Sequence, residues 1–277
     1  MIELPEARTI AKDLEREILG KEIISVGGNF TDHKFTFYDD AETYPEKLTG
    51  KKITAIHPRN FYIEIQVEDK LLLFRDGANI RYLEPDVKLP PKSKLLLSFE
   101  DASHLNVTTS MYAYLGLIDK DTLPTDNEYY LKELSGVGAL DEAFTWEYFQ
   151  SLRTEATDKL SAKAFLATDQ RILGIGNGVT QDILLYAGLN PKRKLATLSE
   201  VEYRKLYDAI QSTLKKMVNE GGRNTEKNIY GNPGGYQTLL SAKTYKNGCP
   251  FCGGEIVKAS YMGGSIYFCP ECQPIDS

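Results

Sequence analysis

No apolar run in this chain of 277 residues approaches the roughly 20 residues that a helix needs to cross a bilayer, so no membrane role is expected. Cysteine is scarce, with four in all, and nothing like a leader segment opens the chain. The expected home is therefore the reducing cytoplasm of a prokaryote. Positive charge is in short supply as well: 33 Lys+Arg stand against 39 Asp+Glu, a formal net charge of −6. The deficit is uneven. Residues 131–277 carry 17 basic and 16 acidic side chains, whereas residues 1–130 carry 16 and 23. The first half thus offers a polyanion no general attraction. Length and a hydrophobic content of 42% are ordinary for a soluble chain with two cores.

The four cysteines form two Cys-x-x-Cys pairs, Cys249-Pro-Phe-Cys252 and Cys269-Pro-Glu-Cys272, with sixteen residues between Cys252 and Cys269. Two knuckles at that separation read as a structural Zn2+ site of four thiolates, with two disulfides as the alternative. A ribbon of about 25 residues buries little core and needs the metal to stay folded. Glu255–Tyr261 and Ser265–Phe268 read as its strands, and Met262-Gly263-Gly264 as its turn.

The stretch from Lys163 to Pro191 reads as helix, tight turn, helix. Val179, Ile183, Leu184 and Ala187 recur at helical spacing, Gly188 closes the second helix and Pro191 forbids its continuation. Between the helices, Gly174-Ile-Gly176-Asn177 aims free backbone N–H groups outward at a helix N-terminus, a natural phosphate cradle. Close packing of two helices is the other use of such glycines. Upstream, β-rich runs at Glu22–Val26, Lys34–Tyr38, Lys51–Ile56, Phe61–Val67, Leu71–Phe74, Leu95–Phe99 and His104–Thr108 suit a β-sandwich. A helix precedes them, started by Pro5 and striped by Ile10, Leu14 and Ile18. Ser199-Glu-Val-Glu202 is a capping box for a long helix with Tyr203, Leu206, Ile210, Leu214 and Met217 as its stripe. Arg223 to Gly235 follows as a Gly/Asn-rich loop.

Several of these segments together resemble the formamidopyrimidine-DNA glycosylase / endonuclease VIII family: Glu3-Leu-Pro-Glu6, Lys163, Gly174-Ile-Gly-Asn177, Leu189-Asn-Pro191, Gly221-Gly222, Gly235-Tyr-Gln237 and the closing Cys-x-x-Cys-Gln273. The resemblance spans nearly the whole chain. It implies an α+β fold: an N-terminal β-sandwich with an N-terminal helix (1–124), a helix–two-turn–helix domain (125–240) and a C-terminal four-cysteine zinc β-hairpin (241–277). It also implies a monomer that clamps damaged double-stranded DNA, flips the lesion out and cleaves its glycosidic bond. Under the resemblance Glu3 is the proton donor to the sugar, with Glu6 beside it, although two acids at a helix N-terminus are equally favourable partners of its dipole. Lys163 reaches the lesion strand, or is a solvated surface lysine. Gly174, Gly176 and Asn177 cradle phosphate, and Arg59 joins them as a DNA contact.

The departures fall on chemical positions. Where the family exposes a proline amine, this chain has Ile2, behind a methionine expected to be retained. Phe61 occupies the place of the family's lysine in Pro58-Arg59-Asn60-Phe61-Tyr62. Ala78 stands for a methionine wedge, and Ala113-Tyr114-Leu115-Gly116 for a wedge containing arginines. Tyr112, Tyr114 and Leu115 either stack on bases or belong to core and rim. Gly264 stands where the family's hairpin places an arginine. Three functions remain, the first two being a base-excision-repair glycosylase without the lyase step, using Glu3, and a catalytically silent module that binds damaged DNA. A protein-interaction adaptor is the third.

Overall fold

The computed structural model describes residues 1–30, 36–38, 40–110, 112–122, 124 and 127–275. Lys34, Phe35 and Asp39, all expected in a strand or its turn, lie outside them. Two compact units emerge: Met1–Glu133 with Gly221–Gly234, and Leu134–Glu220 with Gly235–Ser277.

The first unit opens with α1 (Leu4–Ile18), in which Pro5 sits in the first turn and Ile10, Leu14 and Ile18 are buried. Among the described residues nine strands follow: β1 (Ile23–Gly27), β2 (Thr36–Tyr38), β3 (Ile53–Arg59), β4 (Tyr62–Val67), β5 (Lys70–Arg75), β6 (Ala78–Leu83), β7 (Leu95–Phe99), β8 (His104–Thr109) and β9 (Ala113–Asp119). A short helix, α2 (Tyr44–Leu48), interrupts them between β2 and β3. They form a five-stranded sheet in the order β2-β9-β5-β4-β3 and a four-stranded sheet in the order β1-β7-β8-β6. All pairs are antiparallel except β2 with β9. Alternation decides what each face buries. Ile63, Ile65 and Val67 of β4 join Leu97 and Phe99 of β7 and Leu105 and Val107 of β8 in one core, closed by α1 and by Ile229 from the returning segment. Tyr62 and Glu64 point to the opposite face of β4, where Tyr130 of α3 (Glu128–Ser135) packs on Tyr62.

Two strands were not expected. β6 alternates its buried residues Ala78 and Ile80 with polar Asn79 and Arg81, which blurs the apolar run. β9 takes in the segment read as a wedge: Ala113 and Leu115 are 0% and 1% exposed, so Leu115 is core and cannot intercalate. Tyr114 packs edge-on to Tyr62 at 6.1 Å, and Tyr112 alone of the three is exposed.

The second unit holds α4 (Trp146–Ser151), α5 (Glu155–Asp158), α6 (Ala162–Ala167), α7 (Asn177–Ala187), α8 (Glu200–Asn219) and a hairpin of β10 (Val257–Tyr261) and β11 (Gly264–Phe268). Thr145 caps α4 by accepting from Tyr148 N–H, and two helix ends are those expected: Ser199 and Glu202 form a capping box, and Gly188 ends α7 with φ 69°. The tight turn is not. α6 stops at Ala167 because Thr168 is extended and Asp169 and Gln170 are left-handed (φ 58° and 49°). Ile172 and Leu173 are buried instead in the connecting segment, where Leu173 exchanges backbone hydrogen bonds with Val137 and Ala139. In the hairpin, Met262 and Gly263 are both left-handed, as a two-residue turn requires, and Gly264 is the first residue of β11. Among the described residues no helix is long and apolar enough to cross a membrane.

Candidate nucleic-acid interface and metal centre

Lys163 is the second residue of α6, two positions after its N-cap Ser161. The side chain is not a solvated surface group: Lys163 is 1% exposed, and its ammonium donates to the Tyr261 carbonyl at 2.6 Å, 5.9 Å from the centre of the Tyr261 ring. Burial lowers its pKa, because no carboxylate compensates the charge among the described residues. Gly264 of the hairpin packs against both Lys163 and Asn177. A Cβ there would lie 3.5 Å from Lys163 Nζ and 3.9 Å from the Asn177 amide. Asn177 is exposed as the first residue of α7, preceded by the cap Gly176 and by Gly174, whose φ of 87° suits glycine. Lys163 and Asn177, at the start of α7, thus gather beside β11. Gln181, one turn further on, fixes the hairpin by donating to Ser265 O and accepting from Tyr267 N–H.

The four cysteines converge at the base of that hairpin. Their sulfurs all lie within 4.8 Å of one another, with Cys249–Cys272 at 3.7 Å and Cys252–Cys269 at 3.5 Å. A tetrahedron with metal–sulfur bonds of about 2.3 Å has edges of about 3.8 Å, so the thiols fit one metal ion. They are unpaired, which removes the disulfide alternative.

In the first unit, Glu3 and Glu6 come together as expected, but with a partner that sequence reasoning missed. Arg223 donates to Glu6 Oε1 through Nε at 3.0 Å and to Oε2 through Nη2 at 2.6 Å, and its Nη1 lies 3.4 Å from Glu3 Oε2. Glu3, Glu6 and Arg223 are all less than 5% exposed. Burial would lower the Arg223 pKa, yet the two carboxylates more than reverse it and drive it up. Ile2 adds its side chain to the sandwich core and its N–H to the Asp76 carbonyl, and burial raises the pKa of Asp76. The signal for Arg223 was the Gly221-Gly222 pair ahead of it. Arg59 ends β3 in the first unit, half-exposed, with Nε 3.0 Å from Glu64 Oε1. Lys163, Gly174, Gly176 and Asn177 belong to the second unit.

Comparison with known proteins agrees with this arrangement. The family model described as formamidopyrimidine-DNA glycosylase H2TH domain matches residues 136–228. Fold and site together define a DNA-repair-glycosylase-like protein. The formamidopyrimidine-DNA glycosylase of Carboxydothermus hydrogenoformans is 30% identical over 99% of this chain and 100% of its own length, and that of Lactococcus lactis is 29% identical over 99% of both. The chain belongs to the formamidopyrimidine-DNA glycosylase family. Among solved structures, the Lactococcus lactis Fpg in complex with DNA containing an abasic site matches with a TM-score of 0.81 at 26% identity, covering 98% of this chain and 99% of that one. Its complex with Fapy-dG-containing DNA has the same TM-score and identity.

Proposed function

We propose that this protein binds damaged duplex DNA through Lys163, Gly174, Gly176 and Asn177 in the helix–two-turn–helix region, with Arg59 contributing from the sandwich. The observation that carries the reading is Lys163. A buried ammonium with a carbonyl as its acceptor has two further N–H donors and, among the described residues, no counter-ion, beside a helix N-terminus that favours phosphate. The relatives solved with lesion-containing DNA support the same partner. We assign Zn2+ to the four thiols, since a set of four sulfurs is its usual structural site. Its role is to hold the hairpin against Lys163. The functional division at 124 and 240, and a cytoplasmic home in which free thiols persist, belong to the same proposal.

Binding without the family's amine chemistry fits the buried Ile2 and a buried Phe61 at the family's lysine position. A second reading gives base removal to Glu3 and Glu6. The observation on its side is that both acids stand together at the start of α1, where the resemblance puts its proton donor. The observation against it is that both are enclosed and engaged by Arg223. Duplexes carrying 8-oxoguanine, formamidopyrimidine, an oxidised pyrimidine or an abasic site, scored separately for nicking and for base release revealed by alkali, decide between them. Neither product is expected. Base release abolished by Glu3→Gln would establish the second reading.

A further inference from the structure

A carboxylate buried on the outer face of a sheet needs a reason. Glu64 is 2% exposed, two residues from Tyr62 along β4 and therefore on the same face, turned away from the sandwich core. Its register neighbour across the hairpin is His57, so Arg59 lies diagonally opposite on that face. Two groups hold one oxygen of this carboxylate. Arg59 Nε donates at 3.0 Å and the Tyr130 hydroxyl at 2.7 Å, both to Oε1. Tyr130 is itself fixed, 2% exposed and edge-on to Tyr62 at 5.3 Å.

The arrangement spends only one donor of the guanidinium. Nε points inward, the Arg59 side chain is 45% exposed, and among the described residues no other hydrogen bond engages it. Both Nη groups have no hydrogen-bond partner among the described residues, in a planar fork that the carboxylate holds at Nε. A long side chain that is already ordered loses little freedom when it binds. The fork's geometry matches two oxygens of one phosphodiester. It stands in a half of the chain where acids outnumber bases 23 to 16, so a phosphate there depends on where each base is aimed.

We infer that Glu64 and Tyr130 are positioning residues that hold Arg59 as a prepared fork for a backbone phosphate of bound DNA. The inference rests on the reading of the chain as a duplex-DNA binder and adds residues to it. Arg59 touches the phosphate; Glu64 and Tyr130 act through Arg59 alone.

The test is the affinity of the full chain for a labelled abasic-site duplex across a salt series. Arg59→Ala is expected to flatten the dependence of log K on log salt by about 0.9, the value of one released counter-ion per phosphate. Arg59→Lys keeps the charge and restores the slope, but without the fork it does not restore the affinity. Tyr130→Phe and Glu64→Gln each weaken binding several-fold in the native background and cost nothing further once Arg59 is alanine. Equal losses with and without Arg59, or an unchanged slope in Arg59→Ala, would overturn the inference while leaving DNA binding intact. A native chain that binds no duplex would overturn the functional reading and this inference with it. Should Glu64→Gln fail to fold, the Arg59–Tyr130 pair of variants gives the same decision.

Discussion

Arg223 and Glu6 meet as two forks: Nε to Oε1 at 3.0 Å and Nη2 to Oε2 at 2.6 Å, with both side chains enclosed. The same guanidinium reaches Glu3, so one cation compensates two buried acids. Removing it would strand both. Arg223→Met is predicted to cost about 3–5 kcal/mol, the usual consequence of breaking a buried ion pair from one side. Denaturant titration of the two chains measures it, and a loss below 1 kcal/mol would show that water reaches the acids.

Gly234 predicts a second weakness in the same loop. A Cβ on it would sit 2.3 Å from Gly222 O and 2.6 Å from Arg223 O, both backbone atoms that cannot swing aside. Gly234→Ala is predicted to destabilise by about 1–3 kcal/mol through overpacking, and to loosen Arg223. A melting temperature equal to that of the native chain would contradict the close approach.

Glu133 carries a pH dependence. It is 3% exposed, and burial pushes its pKa up to about 8 from 4.5 against the lowering effect of the Asn60 side chain and the Phe61 N–H. Arg75, which partly opposes that shift, and Glu64, which adds to it, are the charged groups facing it. Between those two values the unfolded chain has lost the proton and the folded chain has kept it. Stability is therefore full below about 4.5 and declines toward pH 8, by at most about 1.4 kcal/mol per pH unit. Glu133→Gln should remove that decline and be the more stable protein at pH 8. A variant with an unchanged stability–pH curve would contradict it.

Stripping the metal with a strong chelator tests the thiol site. Leu185, Leu240, Ile256 and Tyr267 form only a small cluster beside the cysteines, too little to hold the ribbon folded. The Tyr267 N–H, bonded to Gln181 in the intact hairpin, is predicted to lose its protection from hydrogen exchange together with DNA affinity. Retained protection after metal removal would show that the hairpin folds on its apolar contacts.

Much of the scaffold was legible because it rests on local rules. The stripe of α8, the capping box at Ser199, the left-handed Gly188 and the paired cysteines each follow from spacing along the chain. The site was legible only in part. Lys163 and Asn177 could be singled out, but their meeting beside Gly264 brings residues 163, 177 and 264 together, and no local pattern reports that. Arg223 was hidden for the same reason, since 217 residues separate it from Glu6. Of the two readings open for Leu115, the core one holds, because β9 pairing turns that side chain into the core, whereas the resemblance assigns a role by position alone. The turn after α6 failed because Ile172 and Leu173 continue an apolar pattern that left-handed Asp169 and Gln170 have already broken.

The central claim is damage-directed binding through the Lys163 cradle, and the most direct measurement compares affinities for an abasic-site duplex and its undamaged match over a range of salt. The account predicts tighter binding to the abasic duplex, weakening as salt rises, with the slope reduced by about 0.9 in Lys163→Met. Equal affinity for the two duplexes, or binding indifferent to salt and to Lys163, would contradict it.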